Sequence, residues 1–265
     1  MSISDKVLNT LIGTERPDSI QGTGGDDSIL GLGGNDSLYG EGGNDLIDAG
    51  DGADFVMPAL APVEGGHYGL DIISAGKGDD LVNYHFSADR VIIDGGSGND
   101  YLIGSSAGDT ISGGEGDDRL SGYKGADTMT GGAGADIFTY SAAGEAGLSA
   151  LTADRITDFD GSVDTIDMLV KGYFYYEDHG GGGQPWTRNY GETTIAYGAG
   201  YEAAQAVAAD MIGGGYYHYK QLYAFVTDGV NGYLFADVDA DGTADTSIIL
   251  DGLTDITQFS ATDIV

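Results

Sequence analysis

The chain has 265 residues, 41% of them hydrophobic, enough to bury the core of one large domain or two small ones. Its 43 acidic residues against 10 Lys and Arg give a formal charge of -33, a surface that repels nucleic acid and anionic membrane and draws cations. Cysteine is absent, so no disulfide holds the fold and bound metal is the natural substitute crosslink.

The N-terminal stretch "MSISDKVLNTLIGTERPDS" lacks the basic start, apolar core and small-residue cleavage site of a signal peptide. No run approaches ~20 apolar residues, so no transmembrane segment is expected. Such a chain is either cytosolic or exported by a route that ignores its N-terminus. Residues 1–12 are read as an N-terminal cap.

From Gly13 a nine-residue frame begins: "GTERPDSIQ", "GTGGDDSIL", "GLGGNDSLY", "GEGGNDLID" and "AGDGADFVM". It breaks at 58–65, resumes with "GHYGLDIIS" and "AGKGDDLVN", and slips at 84–94 through "YHFSADRVIID". From Gly95 it runs cleanly through "GGSGNDYLI", "GSSAGDTIS", "GGEGDDRLS", "GYKGADTMT" and "GGAGADIFT" to Thr139. A flexible linker of this composition would not place Ile20, Ile29, Leu38, Ile47, Val56, Ile73, Val82, Leu102, Ile111, Leu120, Met129 and Phe138 each two residues after an Asp. A strict short period marks a solenoid.

Each nonapeptide reads as a six-residue turn and a strand of about three residues whose middle side chain points inward. Two units make one eighteen-residue coil. The fold class expected is all-β, a right-handed parallel β-roll over 13–139. Glycines at positions one, two and four are expected to release the backbone into positive φ and aim carbonyls at one point. The Asp at position six adds a charged oxygen. Candidate metal ligands are therefore Asp18, Asp27, Asp36, Asp45, Asp54, Asp71, Asp80, Asp100, Asp109, Asp118, Asp127 and Asp136, with Gly22, Gly24, Gly31, Gly33, Gly40, Gly42, Gly95, Gly113 and Gly131 of the turns. Asp89 falls outside the frame.

Coils stack about 4.8 Å apart, so carboxylates two units apart, such as Asp18 and Asp36, face one gap. An all-oxygen, multidentate cage suits Ca²⁺ rather than Zn²⁺ or Mg²⁺, and about six to eight ions are expected. Two carboxylates about 5 Å apart repel by roughly 1–3 kcal/mol. Repeated along the stack, that rivals a typical domain stability of about 5–15 kcal/mol. Folding and metal binding are then expected to be one event.

The units match G-G-x-G-x-D-x-U-x, the repeat of RTX calcium β-rolls. The sequence resembles the RTX family, and in particular the roll at the C-terminus of serralysin-type secreted metalloproteases. The similarity extends to "ADIFTYSAAGEAGLSALTADRITDFDGSVDTIDM", where Asp154, Ile156, Asp158, Phe159, Asp164, Ile166 and Asp167 match the pattern that follows the roll in that family. The end of the chain, through Asp263-Ile264-Val265, is similar to RTX secretion signals. The resemblance implies a type I secretion apparatus as partner and an extracellular or cell-surface location in a Gram-negative bacterium. It also implies folding by external calcium on exit.

No enzyme is expected. His67, His85, His179 and His218 do not form H-E-x-x-H, no G-x-S-x-G elbow is present, and there is no Cys nucleophile. Residues 140–265 are read as a β-rich cap with the secretion signal. Within it, "YEAAQAVAADMIGGG" predicts one short helix with Ala204, Val207, Ala208 and Met211 on a face and Gly213 as its stop. The aromatic segment 168–221, with Trp186 and Tyr217, admits three readings: a cap, a surface for carbohydrate or peptide, and a haem ligand set.

"DVDADGTAD" places Asp237, Asp239 and Asp241 as in an EF-hand loop, but Ile248 stands where the bidentate Glu belongs. The function expected is a secreted, calcium-folded surface, matrix or adhesion component, with calcium-dependent self-association as one form. The alternative is an extracellular binding module for a cell-surface glycan, a protein or haem.

Overall fold

A computed structural model describes residues 8–59, 69–141, 145–168, 190–194, 196, 198–212, 223–237, 243–260 and 263–264. The chain forms two compact units, Met1–Phe138 and Thr139–Val265.

In the first unit, alternation of turn and short strand gives β1 (Asn9–Ile12), β2 (Ser19–Thr23), β3 (Asp27–Leu30), β4 (Ser37–Glu41), β5 (Leu46–Asp51) and β6 (Phe55–Met57). It continues with β7 (Asp71–Lys77), β8 (Leu81–Asn83), β9 (Val91–Ser97), β10 (Tyr101–Ile103), β11 (Thr110–Glu115), β12 (Arg119–Ser121), β13 (Thr128–Ala133) and the start of β14 (Ile137–Tyr140). Odd-numbered strands lie side by side in one parallel sheet and even-numbered strands in the other. The result is a parallel β-solenoid of about seven turns, as the repeat predicts.

Register follows the nonapeptide. Ile29 pairs with Ile47, Leu38 with Val56, Leu102 with Leu120, and Ile111 with Met129. The position-eight side chains thus stack in two inward rows, and from Ile29 to Phe138 all are at most 1% exposed. Ile20, in the first coil, is half-buried because only one neighbour covers it. The strands are too short to fold alone; each is held by the coils on either side.

The frame breaks leave the register intact. Asp45 reaches Asp71 across a 26-residue step and Asp80 reaches Asp100 across 20 residues. At the second break, a lapse of the frame in sequence, the last residues rejoin the roll: Val91 begins β9, pairs with Asp71 and is fully buried. A valine therefore stands where the stack calls for an aspartate.

The second unit contains β15 (Asp154–Ile156), β16 (Thr165–Met168), β17 (Tyr190–Thr194), α1 (Tyr201–Ile212), β18 (Tyr223–Thr227), β19 (Asn231–Ala236), β20 (Thr246–Asp251) and a 3₁₀ turn, Ile256–Gln258. Strands β18, β19 and β20 form an antiparallel meander flanked by parallel β17 and β15. The predicted helix is present, with Ala204, Ala208 and Met211 buried and Val207 partly so. They pack on Ala224, Val226, Tyr233, Phe235 and Ile249, small alanines letting α1 lie close to the sheet. Gly213 lies outside the described residues.

Candidate metal-binding site

Every position-six aspartate ends a turn and enters a strand, so the stacked coils arrange these carboxylates in two columns. In one column the backbone N–H of Asp18 donates to Asp36 Oδ1, Asp36 to Asp54, Asp54 to Asp80, Asp80 to Asp100, Asp100 to Asp118, and Asp118 to Asp136, at 2.7–2.9 Å. In the other, Asp27 donates to Asp45, Asp45 to Asp71, Val91 to Asp109, and Asp109 to Asp127. This column lacks a carboxylate at Val91. Asp89, outside the frame, instead accepts the Gly69 N–H at 3.0 Å.

The second carboxylate oxygen separates the turns into two kinds. In the turns beginning at Gly13, Gly22 and Gly104, position two is a hydroxyl residue. Thr14 N–H and Oγ1 donate to Asp18 Oδ2 at 2.6 and 2.8 Å. Thr23 does the same to Asp27 at 2.5 and 3.0 Å. Ser105 N–H donates to Asp109 Oδ2 at 2.5 Å and its hydroxyl to Oδ1 at 3.0 Å. These are capped turns.

In the other turns whose position two is described, that residue adopts positive φ. It is Leu32 (79°), Glu41 (73°), Gly50, Gly76, Gly96, Gly114, Tyr123 (70°) or Gly132. Asp36, Asp45, Asp54, Asp80, Asp100 and Asp118 are each at most 3% exposed, and their Oδ2 atoms meet no hydrogen-bond donor among the described residues. A buried carboxylate oxygen without a donor is costly. We call the turns of these six aspartates bare.

Burial dominates the electrostatics. It pushes the Asp45 and Asp80 carboxyls up to about 7 and that of Asp100 to about 6, with neighbouring carboxylates adding to the rise. Asp71 is pushed up to about 8, again chiefly by burial, with the Asp45 amide and the buried Tyr84 hydroxyl beside it acting in the opposite sense. Asp109 rises to about 6 by burial, against donors from Val91 and Ser105.

The glycines divide by role. Positive φ belongs to positions two and four, whereas position one is glycine for room: a Cβ at Gly22 would strike the Gly40 carbonyl and the Asp27 carboxylate. Gly31, Gly95 and Gly113 are confined in the same way, and at Gly40 and Gly131 the Asp45 and Asp136 side chains take that space. The expectation of positive φ at position one is thereby corrected. Gly24, Gly33 and Gly42 occupy position three without positive φ, and Gly24 has open space around it.

Among the described residues, no three acidic or imidazole side chains converge on one point. A cation between coils would be held by stacked aspartates and backbone carbonyls, the donor set of a hard ion such as Ca²⁺. The bare Oδ2 atoms fit that requirement.

Asp237 is buried, while Asp239 and Asp241 lie outside the described residues. So do His67, His179, Trp186, Tyr217, His218 and nearly all of the aromatic segment 168–189 and 213–221. His85 Nδ1 sits 2.6 Å from Asn83 Oδ1, an ordinary local contact. Sequence reasoning missed Thr14, Thr23, Ser105 and Tyr84. Their signal was present as a hydroxyl or an aromatic ring where the repeat has glycine.

The fold and site define a parallel β-solenoid with calcium-type acidic turns. The RTX calcium-binding nonapeptide repeat matches residues 9–38, 21–56, 66–91, 87–111 and 103–138. These repeats and the parallel solenoid that they build fit an RTX β-roll.

Two solved structures cover 99% of the chain in alignment. A subunit of the mannuronan C5-epimerase of Azotobacter vinelandii is 23% identical over 86% of that chain, with a TM-score of 0.24. The extracellular lipase LipA of Serratia marcescens is 14% identical over 40% of that chain, with a TM-score of 0.29. No curated protein sequence matches. No helix among the described residues is long and apolar enough to cross a membrane.

Proposed function

We propose that this chain is a secreted protein whose roll folds when it meets extracellular calcium, and that it serves outside the cell as a surface or matrix component without catalysis of its own. The observation that carries the reading is the row of buried Oδ2 atoms on Asp36, Asp54, Asp80, Asp100 and Asp118, which no hydrogen-bond donor among the described residues meets. A divalent cation would neutralise adjacent carboxylates and link consecutive coils. Without it, burial and mutual repulsion of the acids oppose stacking. Cytosolic calcium is too scarce to do this, so the chain stays threadable for type I export and gains its structure on exit.

Far-UV circular dichroism of EGTA-treated protein during calcium addition tests the proposal, with magnesium as control. A cooperative gain of β signal with calcium and not with magnesium is expected. A calcium-free protein that is already fully folded and indifferent to calcium would overturn it.

A further inference from the structure

We infer that the position-two hydroxyl residues Thr14, Thr23 and Ser105 replace calcium in their own turns, so that the ions fill one column of the roll, in the four gaps between Asp36, Asp54, Asp80, Asp100 and Asp118. The inference rests on the calcium reading above and assigns its sites.

The two kinds of turn present opposite fields to a cation. In a capped turn an N–H and, in Thr14 and Thr23, an O–H converge on the same Asp Oδ2. Their hydrogens occupy the space beside that oxygen with partial positive charge, and the lone pairs of the carboxylate are already engaged by charge-assisted hydrogen bonds. The Ser105 turn reaches the same end by giving one donor to each oxygen of Asp109. A cation would have to displace these donors before binding.

In a bare turn the left-handed residue at position two leaves Oδ2 without a donor. The chain holds this conformation even at Leu32 and Glu41, where a side chain makes it unfavourable by about 1–2 kcal/mol. Strain of this kind gathers at ligand sites.

The kinds are unevenly distributed. In the column of Asp18, the first turn is capped, and Asp36, Asp54, Asp80, Asp100 and Asp118 are all bare. In the column of Asp27, Thr23 caps the first turn and Ser105 caps that of Asp109. Between them Asp71 stacks on Val91, which offers no carboxylate. Bare Asp45 therefore has a capped neighbour on one side and, on the other, an aspartate whose own next coil supplies no acid. The same substitution recurs nine residues after Asp136, where Ser141 N–H and Oγ donate to Glu145 at 2.6 and 2.7 Å.

Counting calcium bound to the full chain by native mass spectrometry at saturating calcium tests the inference, using Asp36→Asn, Asp100→Asn, Asp27→Asn and Asp109→Asn. Asparagine keeps the oxygen that accepts the neighbouring coil's amide and removes the charge. Asp36→Asn and Asp100→Asn are expected to lose one or two ions each. Asp27→Asn and Asp109→Asn are expected to keep the wild-type count while melting at a lower temperature, because the new amide group faces the Thr23 or Ser105 N–H.

Equal ion losses in all four variants would overturn the one-column assignment and leave the calcium reading standing. A wild-type chain that binds no calcium would overturn both. Should Asp109→Asn fail to fold, Asp27→Asn decides, because it lies in the first coils, where loss of local stacking leaves the rest of the roll in place.

Discussion

At the scale of single residues, position two of each turn decides what the buried aspartate meets. Serine or threonine satisfies it from within the turn, and a left-handed residue leaves it to the external cation that we propose. Because glycine carries no left-handed penalty, Leu32→Gly and Tyr123→Gly are each expected to stabilise the calcium-loaded protein by about 0.5–1 kcal/mol in chemical denaturation. Ser105→Ala removes a hydroxyl that donates to the fully buried Asp109 pair. It is expected to destabilise by about 2 kcal/mol, the scale of a hydrogen bond to a charged group, and a loss below about 0.5 kcal/mol would contradict the capping role. In the sequence, "GTERPD", "GTGGDD" and "GSSAGD" are visible only as imperfect repeats. Their meaning lies in hydrogen bonds between position two and position six, which spacing alone does not reveal.

At the scale of strands and turns, the period was the informative feature. A side chain every nine residues implied inward rows, and Ile29, Leu38, Leu102 and Ile111 form them. The core is only one side chain deep per strand, so neighbours cannot collapse far around a void. Leu102→Ala is accordingly expected to lose about 3–5 kcal/mol, read as a lower midpoint in denaturant at fixed calcium. The second break was less legible. Val91 lacks the acid that marks the frame, and only pairing with Asp71 shows that it occupies the aspartate slot. The antiparallel order of β18, β19 and β20 likewise depends on long-range pairing that the repeat does not encode.

At the scale of the whole molecule, a net charge of -33 and stacked buried acids make protons and calcium competitors. The folded, calcium-free protein holds protons on Asp45, Asp71, Asp80 and Asp100 with pKa values raised to about 6–8, whereas the unfolded chain releases them near the ordinary aspartate value of 3.8. A raised acid pKa contributes stability to the calcium-free fold that is fully present below about 4 and is lost as pH rises through about 6–8. Calcium-depleted protein is therefore expected to show more β signal at pH 5 than at pH 8, while calcium affinity increases over the same interval because the ion must displace protons. Calcium-free β signal that instead rises with pH would reverse the sign and refute the burial argument.

The most direct test of the account is the calcium anomalous difference density in crystals of the calcium-loaded protein. The account predicts peaks between successive coils in the column of Asp36, Asp54, Asp80, Asp100 and Asp118, and none beside the capped carboxylates of Asp27 and Asp109. Peaks shared evenly by both columns would contradict the division of turns, and a folded roll with no calcium peaks at all would contradict the claim that these aspartates are calcium sites.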